Sequence, residues 1–339
     1  MPKSVNGLWE EIVSFENLFA AYKEARRGKR YRNEVLQFGY NLEENLINIQ
    51  NHLIWKSWTP GKHRTFYVHD PKKRLISAPP FEDRVVHHAI VRVIEPLFEK
   101  KFIYDSYACR KDKGIHAATL RLQSFLRIAK RNWPKVYVLK ADISSYFPSV
   151  NHQILLDILK RTIRDENVLW LCEKVISDFG YDEQGIPVGA LTSQLFANVY
   201  LDQLDHYLKD GFGVKFYVRY MDDFVILGSA KKCLWGLLDK IKDFLLRLKL
   251  RLNPKTNVFP VHRGVDFAGY RTWATHILPR KRNVKKFRKK MKWIQKAYAS
   301  GKIDLDYIRP RVMSFLGYMK HCNSLATTKM LLNEIVFYR

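Results

Sequence analysis

Residues 217–228 read YVRYMDDFVILG. β-Branched and aromatic residues flank the two central acids on both sides, the composition of a pair of strands. Such strands usually reverse through Asn-Gly or Asp-Gly, where glycine tolerates positive φ. Here no glycine comes before Gly228. Asp222 and Asp223 therefore occupy a hairpin tip among residues suited to burial. An uncompensated carboxylate in that setting is unfavourable, and a bound divalent cation removes the penalty. A hairpin that merely solvates its two acids also satisfies the pattern.

A third acid closes the stretch VYVLKADI at 136–143, which reads as a strand. Alternation places Tyr137, Leu139, Ala141 and Ile143 on one face and Val138, Lys140 and Asp142 on the other. Taken alone, Asp142 is equally a turn or capping residue. With the hairpin it makes a ligand set. Magnesium takes oxygen ligands, commonly one or two carboxylates plus substrate phosphates. Two such ions can activate an attacking hydroxyl and stabilise a departing pyrophosphate. A strand-end aspartate and an Asp-Asp hairpin suffice for phosphoryl transfer.

The charge balance points the same way. The 339 residues carry 59 Lys plus Arg against 33 Asp plus Glu, a net +26. That excess implies a polyanionic partner, nucleic acid before membrane surface. The segment 280–296, RKRNVKKFRKKMKWIQK, holds ten of the basic residues. Val284, Phe287, Met291 and Ile294 form one helical stripe through it, leaving a basic remainder. Lys285, Lys286, Arg288, Lys289 and Lys292 are the candidates for phosphate-backbone contact, against the simpler reading of a solvated face. Four cysteines without a CxxC pair argue against a zinc site or disulfide framework and fit a reducing cytoplasm. The opening MPKSVNGLWEEIV lacks the apolar core of a signal peptide. No apolar run of about 18 residues is present, so no membrane span is expected.

Periodicity predicts helices over 8–27, 42–55, 82–98, 192–208 and 232–249, and one through ILLDILKR that Ser149 would cap. TFYVHDPKKRLISA at 65–78 reads as two short strands about a basic turn, and short strands are expected around Phe259 and Phe267. In FPSVNH, Phe147 lies five residues past Asp142, where an aromatic plate could press on a nucleotide sugar, although a core role is as natural. GIPVGALTSQLFAN at 185–198 brings Gly189, Ser193 and Gln194 ahead of an apolar helix, where glycine allows close backbone approach. The adjacent His87 and His88 face different ways on a helix and read as packing residues, as do Trp55, Trp58 and Trp293.

The ordered set of basic hairpin, DISSYF, GIPVGALTSQ, YMDD, LNPKT and GVDFAGY resembles a reverse transcriptase, from about residue 8 to the C-terminus. The resemblance implies an α+β, right-hand polymerase fold whose palm is an antiparallel sheet carrying the YMDD hairpin. The N-terminal extension and fingers would take 1–135, with 151–185 contributing, the palm 136–150 and 186–271, and a short helical thumb 275–339. Asp142, Asp222 and Asp223 match the three catalytic, metal-binding carboxylates, and Ile143 the position whose backbone carbonyl also faces the metal. Phe147 matches the steric gate that selects deoxynucleotides. Lys72 and Arg74 match basic finger residues near the triphosphate, and Lys255 a lysine near the leaving group. Two Mg²⁺ ions are implied, with Mn²⁺ as a substitute.

The motif before YMDD departs from the usual pattern. Group II intron and retron enzymes carry Q-G-x-x-x-S-P, whereas this chain has Val188-Gly189 and Ser193-Gln194, a V-G-x-x-x-S-Q version. In this it is similar to the reverse transcriptases of diversity-generating retroelements, as it is in SFENLFAAYKEARRGKRYR, PPFEDRVVHHAI, DSYACRKDKGIHAAT and LTSQLFANVYLDQLDH. Enzymes of that group copy a template-repeat RNA into cDNA with errors opposite adenine, which diversifies a target gene. They work with a small basic accessory variability determinant protein. The expected partners are thus template RNA, the RNA–DNA hybrid, deoxynucleoside triphosphates and that accessory protein, in the cytoplasm of a bacterial, archaeal or phage-infected cell. Val188, Gly189, Ser193 and Gln194 would form the template and fidelity loop, with Gln194 also touching substrate. The alternatives are a retron, defence or CRISPR-linked reverse transcriptase, or a non-catalytic RNA-binding scaffold. The V-T-G element of retron enzymes is not found, and maturase, endonuclease and RNase H modules are not expected.

Overall fold

The computed structural model describes residues 6–69, 73–180 and 182–338. Four helices open the chain: α1 (Trp9–Val13), α2 (Phe15–Ala25), α3 (Asn33–Tyr40) and α4 (Leu42–Ile54). The hairpin β1 (Arg64–Val68) and β2 (Arg74–Ala78) follows, then α5 (Phe81–Glu99), α6 (Ile115–Asn132) and β3 (Tyr137–Asp142). Next come α7 (Tyr146–Ser149), α8 (His152–Lys160), α9 (Glu166–Ser177) and α10 (Leu191–His206). β4 (Tyr217–Tyr220) and β5 (Asp223–Gly228) form the acidic hairpin, followed by α11 (Lys231–Arg247) and β6 (Asn257–Pro260). The remainder is β7 (Val265–Phe267), β8 (Tyr270–Thr272), β9 (Ile277–Pro279), α12 (Lys281–Ala299), α13 (Leu305–Met319) and α14 (Leu325–Asn333).

The chain divides into two compact units. One comprises Met1–Tyr104, Ile143–Gly213 and Ile241–Leu252. In it α5 lies against both α2 and α10 and buries Val85, Val86, Ala89, Ile90 and Ile94. The helix expected over 8–27 is broken at Ser14. That residue is extended (φ −61°, ψ 142°), and its hydroxyl accepts from Asn17 N–H to start α2. Ser149 likewise does not cap the helix through ILLDILKR. It closes the short α7, and Asn151 caps α8 by accepting from Ile154 N–H at 3.1 Å. Ser149 lies two residues before the N-cap position, and its hydroxyl instead donates to the Ser145 carbonyl at 3.0 Å.

The other unit comprises Asp105–Asp142, Val214–Lys240 and Asn253–Arg339. Its centre is an antiparallel sheet in the order β4-β5-β3-β6. Val138, Val218, Val225 and Leu227 of the sheet share one apolar cluster with Leu122, Phe125 and Leu126 of α6. A second small sheet orders β7-β8-β9. Farther on, Phe287, Met291 and Ile294 of α12 make a separate core with Ile308 and Leu331, topped by a Phe287–Phe315 stack at 3.6 Å. The stripe expected on 280–296 is thus the buried face of α12.

Asp83, at the start of α5, is 4% exposed and accepts a 2.8 Å hydrogen bond from Gly61 N–H. Burial pushes its carboxyl up to about 6, and the Gly61 bond only partly opposes this. The folded chain therefore holds this proton up to about pH 6, while the unfolded chain releases it near 3.8. Folding takes up a proton in that window, so this group's contribution to stability falls as pH rises through it. Asp83→Asn should raise Tm by roughly 5 °C at about pH 8 and by nothing at about pH 4, measured by thermal unfolding at both.

Candidate active site

The carboxylate site is built by strand register. β3 and β5 pair antiparallel with Asp142 directly opposite Asp223, and Tyr220 pairs with Asp223 across the hairpin. Residues opposite one another in a ladder point to the same face, so the two carboxylates are neighbours by construction. Met221 and Asp222 form the two-residue turn. Met221 takes φ +56° while Asp222 stays negative, the pattern of a II′ turn, which normally has glycine first. A side chain in that region costs about 1 kcal/mol.

The acids rest on protein partners. Lys140, two residues before Asp142 on the same face, places Nζ 3.3 Å from Asp223 Oδ2. It also donates to the Asp266 carbonyl, and the Asp266 carboxylate is ion-paired with Arg280. Asn253 N–H donates to the Asp142 carbonyl at 2.7 Å, and its amide donates to Asp142 Oδ2 at 3.2 Å. Asp223 Oδ1 is buried with no hydrogen-bond partner. Burial, opposed by Lys140 and reinforced by Asp142 and Asp222, pushes the Asp223 carboxyl up to about 7.

Among the described residues no three acid, histidine or cysteine side chains form a ready-made metal cage. The chemistry of the donor set nevertheless fits a hard cation. An orphaned carboxylate oxygen beside two further acids is a site whose charge a divalent ion would offset.

The remaining expected residues fall into place separately. In the first unit, Ile143 is buried and bridges Leu252. The half-buried Phe147 carbonyl accepts from Ile186 N–H at 3.0 Å, joining FPSVNH to the following loop. In that loop Val188 C=O accepts from Ser77 N–H of β2 at 3.0 Å. Gly189 (φ +132°) lies so close that an added Cβ would come within 2.9 Å of the Ser77 carbonyl. Ser193 is buried, and Gln194 is exposed in the first turn of α10. Arg74 is exposed at the hairpin mouth, paired with Val68. Lys72 lies outside the described residues.

In the second unit, Lys255 is exposed, its N–H held by Asn253 Oδ1 at 3.0 Å. Lys285, Lys286, Lys289 and Lys292 are exposed on α12, whereas Arg288 is half-buried and ion-paired with Glu334. His87 is buried, and burial lowers its imidazole to about 3, as a packed neutral ring requires. Trp58 is buried as expected, but Trp55 and Trp293 are largely exposed.

Two supporting residues do not stand out in the sequence. Asn253 is inconspicuous inside LNPKT, and Lys140 shares the Asp142 face without a role of its own. Alternation does signal Lys140, while nothing local ties Asn253 to an acid 111 residues away.

The reverse transcriptase (RNA-dependent DNA polymerase) family model matches residues 61–272, well over half of this chain, which therefore belongs to that family. Protein YkfC of Escherichia coli K12 is 27% identical over 269 residues, covering 66% of this chain and 70% of that protein. The group II intron-encoded protein LtrA of Lactococcus lactis is 26% identical over 178 residues, covering 49% of this chain and 28% of LtrA. Apo telomerase from Candida tropicalis matches with a TM-score of 0.53 at 12% identity, covering 80% of this chain and 60% of that one. That likeness shows the fold, the right-hand polymerase fold. Reverse transcriptase domains use divalent metal ions.

Asn253→Ala should lower the single-turnover rate of nucleotide addition about 10-fold through loss of one orienting hydrogen bond, with hybrid binding unchanged. Rapid-quench primer extension beside a binding titration measures both.

Proposed function

We propose that the chain adds deoxynucleotides to a primer 3′-hydroxyl on an RNA template, with Asp142, Asp222 and Asp223 as the catalytic carboxylates. The observation that carries this reading is the registered pairing of Asp142 with Asp223 beside the Asp222 turn. These acids and the Ile143 carbonyl would hold two Mg²⁺ ions, or Mn²⁺ in their place. When bound, the ions supply charge stabilisation for the attacking and leaving oxygens. The protein's own contribution is positioning and electrostatics. Phe147 selects against a ribose 2′-hydroxyl, and Lys72, Arg74, Gln194 and Lys255 bind the incoming nucleotide. Residues 1–135 with 151–185 act as N-terminal extension and fingers, 136–150 and 186–271 as palm, and 275–339 as thumb.

Lys285, Lys286, Lys289 and Lys292 meet the phosphate backbone of the hybrid, whose A-like form is recognised by shape and backbone. The Glu334 pair draws Arg288 partly away from that role.

The V-G-x-x-x-S-Q loop favours the diversity-generating subtype, which copies a template-repeat RNA with adenine-directed errors, alongside a basic accessory variability determinant protein. The similarity to LtrA, a group II intron-encoded protein, favours the wider intron-type lineage as the second reading. The contact of Val188 and Gly189 with Ser77 of β2 supports assigning this loop to the templating base pair.

Primer extension on an RNA template decides the chemistry: Asp222→Ala and Asp223→Ala should each lose at least about 1,000-fold in rate. Activity in neither wild type nor variants would indicate a scaffold. Sequencing the cDNA from an adenine-containing template, with and without the accessory protein, tests the subtype. Val188→Gln should reduce errors opposite adenine; an unchanged spectrum would remove this position from fidelity control. Replacing Lys285, Lys286, Lys289 and Lys292 together by alanine should flatten the slope of log binding constant against log salt by about one per lost phosphate contact.

A further inference from the structure

We propose that Arg219 is the positioning residue that sets the YMDD turn, anchored by the Asp105–Tyr107 segment. This rests on Asp222 and Asp223 being the reacting-site carboxylates.

Arg219 is fully buried, the largest such side chain among the described residues. It pairs with Phe224 across the hairpin, one position along from the Tyr220–Asp223 pair, and so lies on the face opposite the carboxylates. A guanidinium in that environment is unfavourable unless its donors are used. Its Nη1 donates to the Met221 carbonyl at 3.0 Å. Met221 is the residue forced to φ +56°. Holding its carbonyl fixes the plane of the Met221–Asp222 peptide, and with it the direction in which the Asp222 and Asp223 side chains leave the turn.

Arg219 is itself clamped along its backbone. Its N–H donates to the Asp105 carbonyl at 2.9 Å, its carbonyl accepts from Tyr107 N–H at 3.0 Å, and Ser106 bridges it in parallel. The segment 105–107 thus extends the sheet beyond the edge of β4. That segment is secured in turn, since the buried Asp105 accepts from Arg121 Nε at 2.7 Å and the Ser106 carbonyl from Arg110 Nη1 at 2.8 Å. The DSYACRKD motif therefore acts in two stages, holding Arg219 so that Arg219 can hold the turn. An aliphatic residue would fill the same volume but leave the Met221 peptide free to rotate.

Single-turnover incorporation of one deoxynucleotide tests this, with Tm and hybrid binding measured alongside. Arg219→Met should lower the rate at saturating nucleotide about 100-fold, with the half-saturating nucleotide concentration and hybrid affinity unchanged within about twofold. Arg219→Lys, which restores one donor without the fork, should recover part of that loss. Arg121→Met, which loosens the anchor, should cost about 3- to 10-fold in the same parameter. If Arg219→Met does not fold, Arg219→Lys and Arg121→Met carry the test with the same signature.

A rate within about twofold of wild type in the folded variants overturns the proposal. So does a loss spread equally over rate, nucleotide affinity, hybrid binding and Tm, which is the mark of a merely structural role. Asp222→Ala serves as the control. If it remains active, the reading of the site itself has failed; if it is inactive while Arg219→Met is active, only the present inference has.

Discussion

The pairing of β3 with β5 sets Asp142 opposite Asp223, and everything else in the carboxylate site depends on that register. A slip of one residue would turn Asp142 to the far face, away from Asp223. Apolar burial on both faces resists such a slip. Val138, Val225 and Leu227 point into the α6 cluster, while Leu139, Ala141, Phe224 and Ile226 are buried on the other side. The acids are therefore gathered by forces that have nothing to do with their charge. Burial of a carboxylate is the main cost, with repulsion from Asp142 and Asp222 adding to it, and together they raise the Asp223 carboxyl. Lys140 offsets part of it, and a divalent cation would offset the rest.

Around that core of register, the site is trimmed by directional polar contacts. Asn253 binds both the backbone and the side chain of Asp142, and Arg219 holds the carbonyl of the strained Met221. Hydrophobic packing fills space but fixes orientation poorly, whereas a short hydrogen bond to a carbonyl specifies a peptide plane. The other unit follows the same rule: Ser77 meets the Val188 carbonyl, and the absence of a side chain at Gly189 permits the approach.

Much of this was legible in the sequence. The YMDD hairpin and the strand ending in Asp142 stand out as β-branched and aromatic runs that end in acids, and the helices α4, α5 and α11 carry period-3.6 stripes, while α10 reads as an apolar helix buried nearly all round. What escaped has physical reasons. The helix α6 has a clear buried stripe through Leu122, Phe125 and Leu126 but starts after Gly114 without a side-chain cap to mark its beginning. The break at Ser14 lies within one continuous apolar stripe, and only the capping bond to Asn17 reveals it. Asn253 and Arg219 act through contacts that local sequence does not announce. The burial of Arg219 and its target, a backbone carbonyl two residues on, come from the structure alone.

Manganese binding to the nucleic-acid-free protein, followed by electron paramagnetic resonance, tests most directly whether the hairpin and β3 together make a cation site. The wild type should bind Mn²⁺, with Asp142→Asn and Asp223→Asn each weakening it by about 10-fold or more while Tm is retained. Equal binding by wild type and both variants would contradict the account.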